Sequence, residues 1–157
     1  MIAADILAAA RAKGIHIATA ESCTGGMIAA ALTDIAGSSD VFDRGFVTYS
    51  NDAKIAMLGV QQATLDAHGA VSEMIATEMA DGALAHSNAT LAVATTGIAG
   101  PGGSDFKPEG RVCFGLAQTD HPTQTCTVEF GPLGRANVRA AATEYALGLL
   151  MEALDRP

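Results

Sequence analysis

Tryptophan is absent from this 157-residue chain, aromatic residues make up only 4% of it, and cysteine occurs three times. Cations are scarce. Nine Lys+Arg stand against 17 Asp+Glu, a formal net charge of −8, and only Lys13, Lys54 and Lys107 are lysines. That deficit excludes the clustered basic footprint of a nucleic-acid partner. It equally excludes docking on an anionic membrane surface. No apolar run reaches the roughly 18 to 20 residues of a membrane span. Cys23, Cys113 and Cys126 are odd in number and form no Cys-x-x-Cys pair, so no disulfide scaffold is expected. Neither His-Glu-x-x-His nor a Cys/His cluster occurs, and neither a metal nor another cofactor is expected. The start, Met-Ile-Ala-Ala-Asp-Ile-Leu, lacks the basic residues of a secretory signal. A reduced, cytoplasmic protein is expected.

What is present is 49% hydrophobic sequence, enough for a core, with no linker or repeat. A single domain over residues 1–157 is the simplest partition. Ile2 to Lys13 has helical periodicity through Ile2, Ile6, Leu7 and Ala10, and Gly14 stops it. Ile15 to Ala20 is β-prone. Met27 to Ala36 reads as a helix, Val41 to Ser50 as containing a strand, and Asn51 as the cap of a helix through Leu58. Helices over Gln62 to His68 and from a Ser72 cap to about His86 follow. Ala89 to Thr96 is a continuous apolar strand of the kind buried on both faces. Arg111 to Gln118 and Thr123 to Phe130 form a hairpin pattern, and a helix from Arg135 to Leu154 closes the chain, with Val138, Ala142, Tyr145, Leu149 and Leu150 facing inward. Strands alternating with helices, then a hairpin, predict an α/β layered sandwich with a mixed sheet. Its alanine-rich helices suit a homo-oligomer, a dimer.

Three loops would leave the carboxyl ends of strands, where open α/β sheets bind ligands. They are Glu21-Ser-Cys-Thr-Gly-Gly26, Tyr49-Ser-Asn-Asp-Ala-Lys54 and Thr96-Gly-Ile-Ala-Gly-Pro-Gly-Gly103. The first places two hydroxyls, a thiol and two glycines where a strand turns into a helix. Free N–H groups there can bind a phosphate or an oxyanion; equally, Ser22 or Thr24 can simply cap the helix. Geometry leaves both readings open. The third loop is long for a compact domain, and its glycines let a ligand approach the main chain.

A serine hydroxyl is a weak nucleophile until a base takes its proton. No His/Asp arrangement near Ser22 is legible. Lys54 can serve if burial lowers its pKa, although a lysine just inside a short helix is more commonly solvated. Cys23 sits where a helix N-terminus lowers a thiol pKa, against the plainer reading of a small buried neighbour of Ser22. Arg135 and Arg139, one turn apart, can clamp a phosphate or stay ordinary solvated charges.

Ala20-Glu-Ser-Cys-Thr-Gly-Gly26, Phe46-Val-Thr-Tyr-Ser-Asn51 with Lys54, Leu58-Gly-Val60, His68-Gly-Ala-Val-Ser-Glu73, Thr96-Gly-Ile-Ala-Gly-Pro101 and Lys107-Pro108 resemble the CinA C-terminal domain family. The resemblance runs from about Ala3 to Leu154, and six ordered blocks are far more specific than any lone glycine motif. It implies a three-layer α/β/α sandwich with a mixed, roughly five-stranded sheet. It further implies hydrolysis of the carboxamide of nicotinamide mononucleotide to nicotinic acid mononucleotide and ammonia, without a metal. By match of position, Ser22 is the nucleophile, Lys54 its proton acceptor and Tyr49 an assisting hydroxyl. Thr24, Gly25, Gly26, Thr96, Gly97, Gly100, Gly102 and Gly103 match pocket-lining positions, and Arg139 a helical arginine near the phosphate. Two departures stand out. The larger N-terminal domain of many relatives has no counterpart here, and Glu109 replaces the small apolar residue usual after Lys-Pro. A nucleotide-binding regulatory module without amidase activity is the rival reading, since fold does not guarantee function. With so few cations, a bound phosphate is expected to rest mainly on backbone N–H groups and one arginine.

Overall fold

The computed structural model describes residues 2–104 and 106–157. Helix α1 (Ile2–Lys13) leads into β1 (Ile17–Glu21), α2 (Met27–Thr33), a short 3-10 turn and β2 (Phe42–Val47). Three helices follow, α3 (Asn51–Leu58), α4 (Gln62–His68) and α5 (Glu73–Ala85), then β3 (Leu91–Gly97). The chain ends in the hairpin β4 (Arg111–Gln118) and β5 (Gln124–Glu129) and the long helix α6 (Arg135–Asp155).

The five strands form one sheet in the order β2-β1-β3-β4-β5. β1 pairs parallel with both β2 and β3, whereas β4 pairs antiparallel with β3 and β5. Every residue of β1 is buried, as is β3 from Leu91 to Thr96, which accounts for the continuous apolar run of β3. Alternation then sorts side chains between two cores. Ile17, Leu91, Val93 and Phe114 face α1, α2 and α6. Ala18, Ala20, Ala92 and Ala94 face α3, α4 and α5 with Leu58, Ile75 and Met79. The sheet is thus covered on both sides, as a three-layer α/β/α sandwich. The second face is lined by small residues for a reason visible at Gly115. A Cβ there would lie 2.4 Å from the Ala76 carbonyl oxygen, so α5 rests almost on the sheet backbone.

Local signals differ from the sequence reading in three places. α3 is capped by Ser50, whose hydroxyl accepts from the Ala53 N–H at 3.0 Å, and Asn51 is its first helical residue. The helix expected to reach Ala36 stops at Thr33. Tyr145, expected to face inward, is 39% exposed; it lies flat along the core edge, its ring centroid 4.8 Å from that of Phe114. Ser72 does cap α5, accepting from Ile75 N at 3.3 Å.

The parallel β1, β2 and β3 end at the same edge of the sheet. α2 carries the chain from β1 to β2 over one face, and α3 to α5 return it to β3 over the other. The loops after β1, β2 and β3 therefore open around one crevice above β1, where such sheets bind ligands.

Candidate active site

A cleft of about 400 Å³ occupies that crevice. Ser22, Cys23, Tyr49, Asn51 and Lys54 line one side, and the loop from Thr96 to Ser104 lines the other. Arg135, from the first turn of α6, closes one end.

Ser22 is held by its backbone. Its N–H donates to the Thr95 carbonyl at 3.0 Å, continuing the β1–β3 pairing past the strand end. Glu21, the last residue of β1, is fully buried. Its carboxylate accepts from Thr24 Oγ1 at 2.6 Å, from Ile28 N at 2.9 Å and from Ala29 N at 3.0 Å. It therefore caps α2 from a neighbouring strand, which neither Ser22 nor Thr24 does. The Ile28 and Ala29 N–H groups at the head of α2 are thus occupied internally. Ser22 itself is left with only 8% of its surface exposed and its hydroxyl at the cleft floor.

Lys54 sits on the first turns of α3, yet the helix turns its side chain inward and only 1% of it is exposed. Its Nζ lies 3.0 Å from Ser22 Oγ and 3.0 Å from the Thr48 carbonyl oxygen. Among the described residues no carboxylate forms a salt bridge with it. A buried ammonium with two neutral acceptors and no counter-ion is costly. Burial accordingly pushes the Lys54 pKa below the ordinary lysine value, against a smaller opposing pull from Cys23. Deprotonated, the amine can keep an N–H on Thr48 O and turn its lone pair to the Ser22 O–H. That is the arrangement of a serine with its own base.

Cys23 lines the cleft beside Ser22 but is not set up as a nucleophile. Burial pushes its thiol up to about 11. At pH 7.5 its alkylation by iodoacetamide is expected to be on the order of 10² to 10³ times slower than that of a free thiol. Mass spectrometry of the Cys23 peptide checks this, and labelling at a free-thiol rate would contradict it.

The remaining sequence candidates divide into two groups. Tyr49, Thr96, Gly97, Gly100, Gly102 and Gly103 reach the cleft. Thr24, Gly25, Gly26 and Arg139 are not among its lining residues. Thr24 is buried against Glu21 and Thr95. Arg139 donates to the Cys23 carbonyl at 3.0 Å and the Thr24 carbonyl at 3.4 Å. Its guanidinium thus braces the serine loop from α6. The arginine at the cleft is Arg135, one turn earlier, donating to Gly100 O at 2.7 Å and to the Tyr49 hydroxyl at 2.5 Å. Tyr49, 59% exposed, places its hydroxyl on that arginine. Thr96 donates to the Ala70 carbonyl at 2.8 Å, and Lys107 donates to the His68 carbonyl at 2.9 Å and to the Val71 carbonyl, tying the third loop to the α4–α5 connection. Asn51 and Val71, which lie in the quoted motif blocks but were given no site role there, also line the cleft.

A family model for the CinA C-terminal domain matches residues 1–154. The chain belongs to the CinA C-terminal domain family. It is 52% identical over 147 residues to the nicotinamide-nucleotide amidohydrolase PncC of Enterobacter agglomerans, covering 93% of this chain and 89% of that protein. It is also 60% identical over 108 residues to a CinA-like protein of Chloroherpeton thalassium, covering 68% of this chain but 26% of that longer protein. The competence/damage inducible protein CihA of Agrobacterium tumefaciens has a similar solved structure, with a TM-score of 0.94 and 49% identity over 99% of this chain and 94% of that one. Among the described residues no helix is long and apolar enough to cross a membrane.

Proposed function

We propose that this chain is a nicotinamide-nucleotide amidohydrolase that converts nicotinamide mononucleotide to nicotinic acid mononucleotide and ammonia. The observation that carries the reading is the 3.0 Å approach of the buried Lys54 Nζ to Ser22 Oγ on the floor of a single cleft. A pocket that only binds has no need of a base beside a serine. The 52% identity to a protein of that name supports the choice of substrate.

In this reading Ser22 Oγ attacks the carboxamide carbon while the Lys54 amine accepts its proton. N–H groups of the Glu21–Gly26 loop that carries Ser22 hold the oxyanion of the tetrahedral intermediate. The intermediate collapses as Lys54 returns the proton to the leaving nitrogen, and ammonia departs. Water, activated by the same amine, then hydrolyses the seryl ester to the carboxylate. Thr96, Gly97, Gly100, Gly102 and Gly103 contact the nucleotide, and Arg135 with Tyr49 faces its phosphate. Thr24, Gly25, Gly26 and Arg139 shape the serine loop from behind as positioning residues. The same reading takes residues 1–157 as one domain, working in the cytoplasm as a homodimer without nucleic-acid or membrane partners.

The test is ammonia release by purified protein from nicotinamide mononucleotide, free nicotinamide and the dinucleotide. Release from the mononucleotide alone is the expected result. Silence on all three with retained mononucleotide binding would replace the enzyme by a regulatory module.

A further inference from the structure

We infer that Glu109 is a positioning residue for the phosphate end of the cleft. It fastens the glycine loop to the amino end of α6 and so holds Arg135 at the cleft wall. The inference rests on the reading of the substrate as a phosphorylated nucleotide.

Glu109 Oε1 accepts from Gly102 N at 2.7 Å, and Oε2 accepts from Gly134 N at 3.0 Å. Hydrogen bonds to a carboxylate are the strong kind. Gly134 is the N-cap of α6, at φ 90°, and no side chain of its own caps the helix. A carboxylate there is favoured by the exposed N–H groups and the helix dipole. The next residue, Arg135, donates back to Gly100 O at 2.7 Å. The contacts close a ring: Glu109 to Gly134, the peptide to Arg135, the guanidinium to Gly100, two residues to Gly102, and Gly102 back to Glu109. The ring is tight. A Cβ on Gly100 would lie 2.5 Å from the Glu109 carboxyl carbon, so the loop backbone rests directly on that side chain.

Two consequences follow for an anionic substrate. The charge of Glu109 is engaged by two N–H groups and a helix terminus, which offsets its repulsion. Those same two N–H groups are closed to the substrate, and the cation at the cleft that faces its phosphate is the Arg135 guanidinium. Freeing the loop and helix end from each other should therefore weaken phosphate binding without touching the chemistry at Ser22.

The experiment compares wild type with Glu109→Ala and Glu109→Gln on nicotinamide mononucleotide and on its unphosphorylated nucleoside. For Glu109→Ala the expected result is about a tenfold rise in KM for the mononucleotide, with kcat within about twofold and kcat/KM for the nucleoside unchanged. Glu109→Gln, keeping one acceptor oxygen, should fall between. Inorganic phosphate should weaken as a competitive inhibitor in parallel. An unchanged or lower KM in Glu109→Ala would overturn the inference, as would an equal loss on both substrates, the mark of a general structural defect. Titration calorimetry with nicotinic acid mononucleotide reads the same tenfold loss independently of turnover. Failure of the amidohydrolase reading therefore shows as a wild type that binds but does not hydrolyse; a wild type that does neither overturns both.

Discussion

Lys54→Met is expected to lower ammonia release from nicotinamide mononucleotide by a factor of about 10³ or more, in a protein that melts no lower than wild type. The two effects have one cause. The Lys54 amine is buried without a counter-ion among the described residues, and burial holds its pKa below the ordinary value of 10.5. Between that lowered pKa and 10.5 the unfolded chain binds a proton that the folded chain does not. Stability contributed by this group is therefore lost as pH falls from 10.5 through the folded-state pKa, and removing the group removes the loss. Methionine fills the same space without a charge, so the stability difference between variant and wild type should shrink as pH rises toward 10.5. The activity difference should instead widen as pH rises and then hold. Wild-type kcat should rise with pH through the lowered pKa and level off below 10.5, because the neutral amine is the competent base. Ser22→Ala should fall as far as Lys54→Met, and the double variant no further, as expected for residues acting as one unit. Steady-state ammonia assays and thermal melts from pH 6 to 10 check all of this. A Lys54→Met protein within tenfold of wild type would sink the serine–lysine mechanism.

Much of this arrangement is legible in the sequence, for reasons that differ by element. α3, α4 and α5 end where glycine or a turn must follow, and Ser72 advertises its cap, so their bounds could be read closely. The clustering of three loops followed from strand order alone. Burial was harder. Lys54 on a short helix has the pattern of a solvated residue, and only the packing of α3 under the serine loop turns it inward to 1% exposure. Arg135 and Arg139 lie one helical turn apart on the same face, and the tilt of α6 decides which meets the cleft and which braces Cys23 and Thr24. Glu109 stood out only as a departure from the small apolar residue usual after Lys-Pro, with no sign of what it holds; its two acceptors engage partners 7 and 25 residues away. Glu21 was read as the first residue of a loop. Because β1 is buried on both faces, no alternation betrayed which way its last side chain points.

That misread carboxylate carries the other large expected effect. Glu21→Ala should destabilise the protein by about 4 kcal/mol, because the groups it satisfies cannot be removed with it. Replacing a buried ion by an apolar residue can be neutral when its partner also leaves. Here two partners are the backbone N–H groups of Ile28 and Ala29, which stay, at the head of a helix with no other side-chain cap. Thr24 alone has an alternative, its 2.8 Å contact with Thr95 Oγ1. Two unsatisfied N–H groups, a lost charge-assisted bond and a cavity under α2 together support that magnitude. For a chain of this length it corresponds to a fall in Tm of about 8 to 16 °C. Glu21→Gln should lie between, since its NH2 would face an N–H that needs an acceptor. The damage should reach chemistry as well. β1 ends at Glu21 and Ser22 follows it, so a loosened α2 head moves Oγ relative to Lys54, and kcat should fall more than KM rises. Thermal melts and steady-state kinetics of the two variants read both arms. A Glu21→Ala protein melting within about 2 °C of wild type would mean that water or a rearranged loop satisfies the head of α2, and that the serine is held in place by its bond to Thr95 alone.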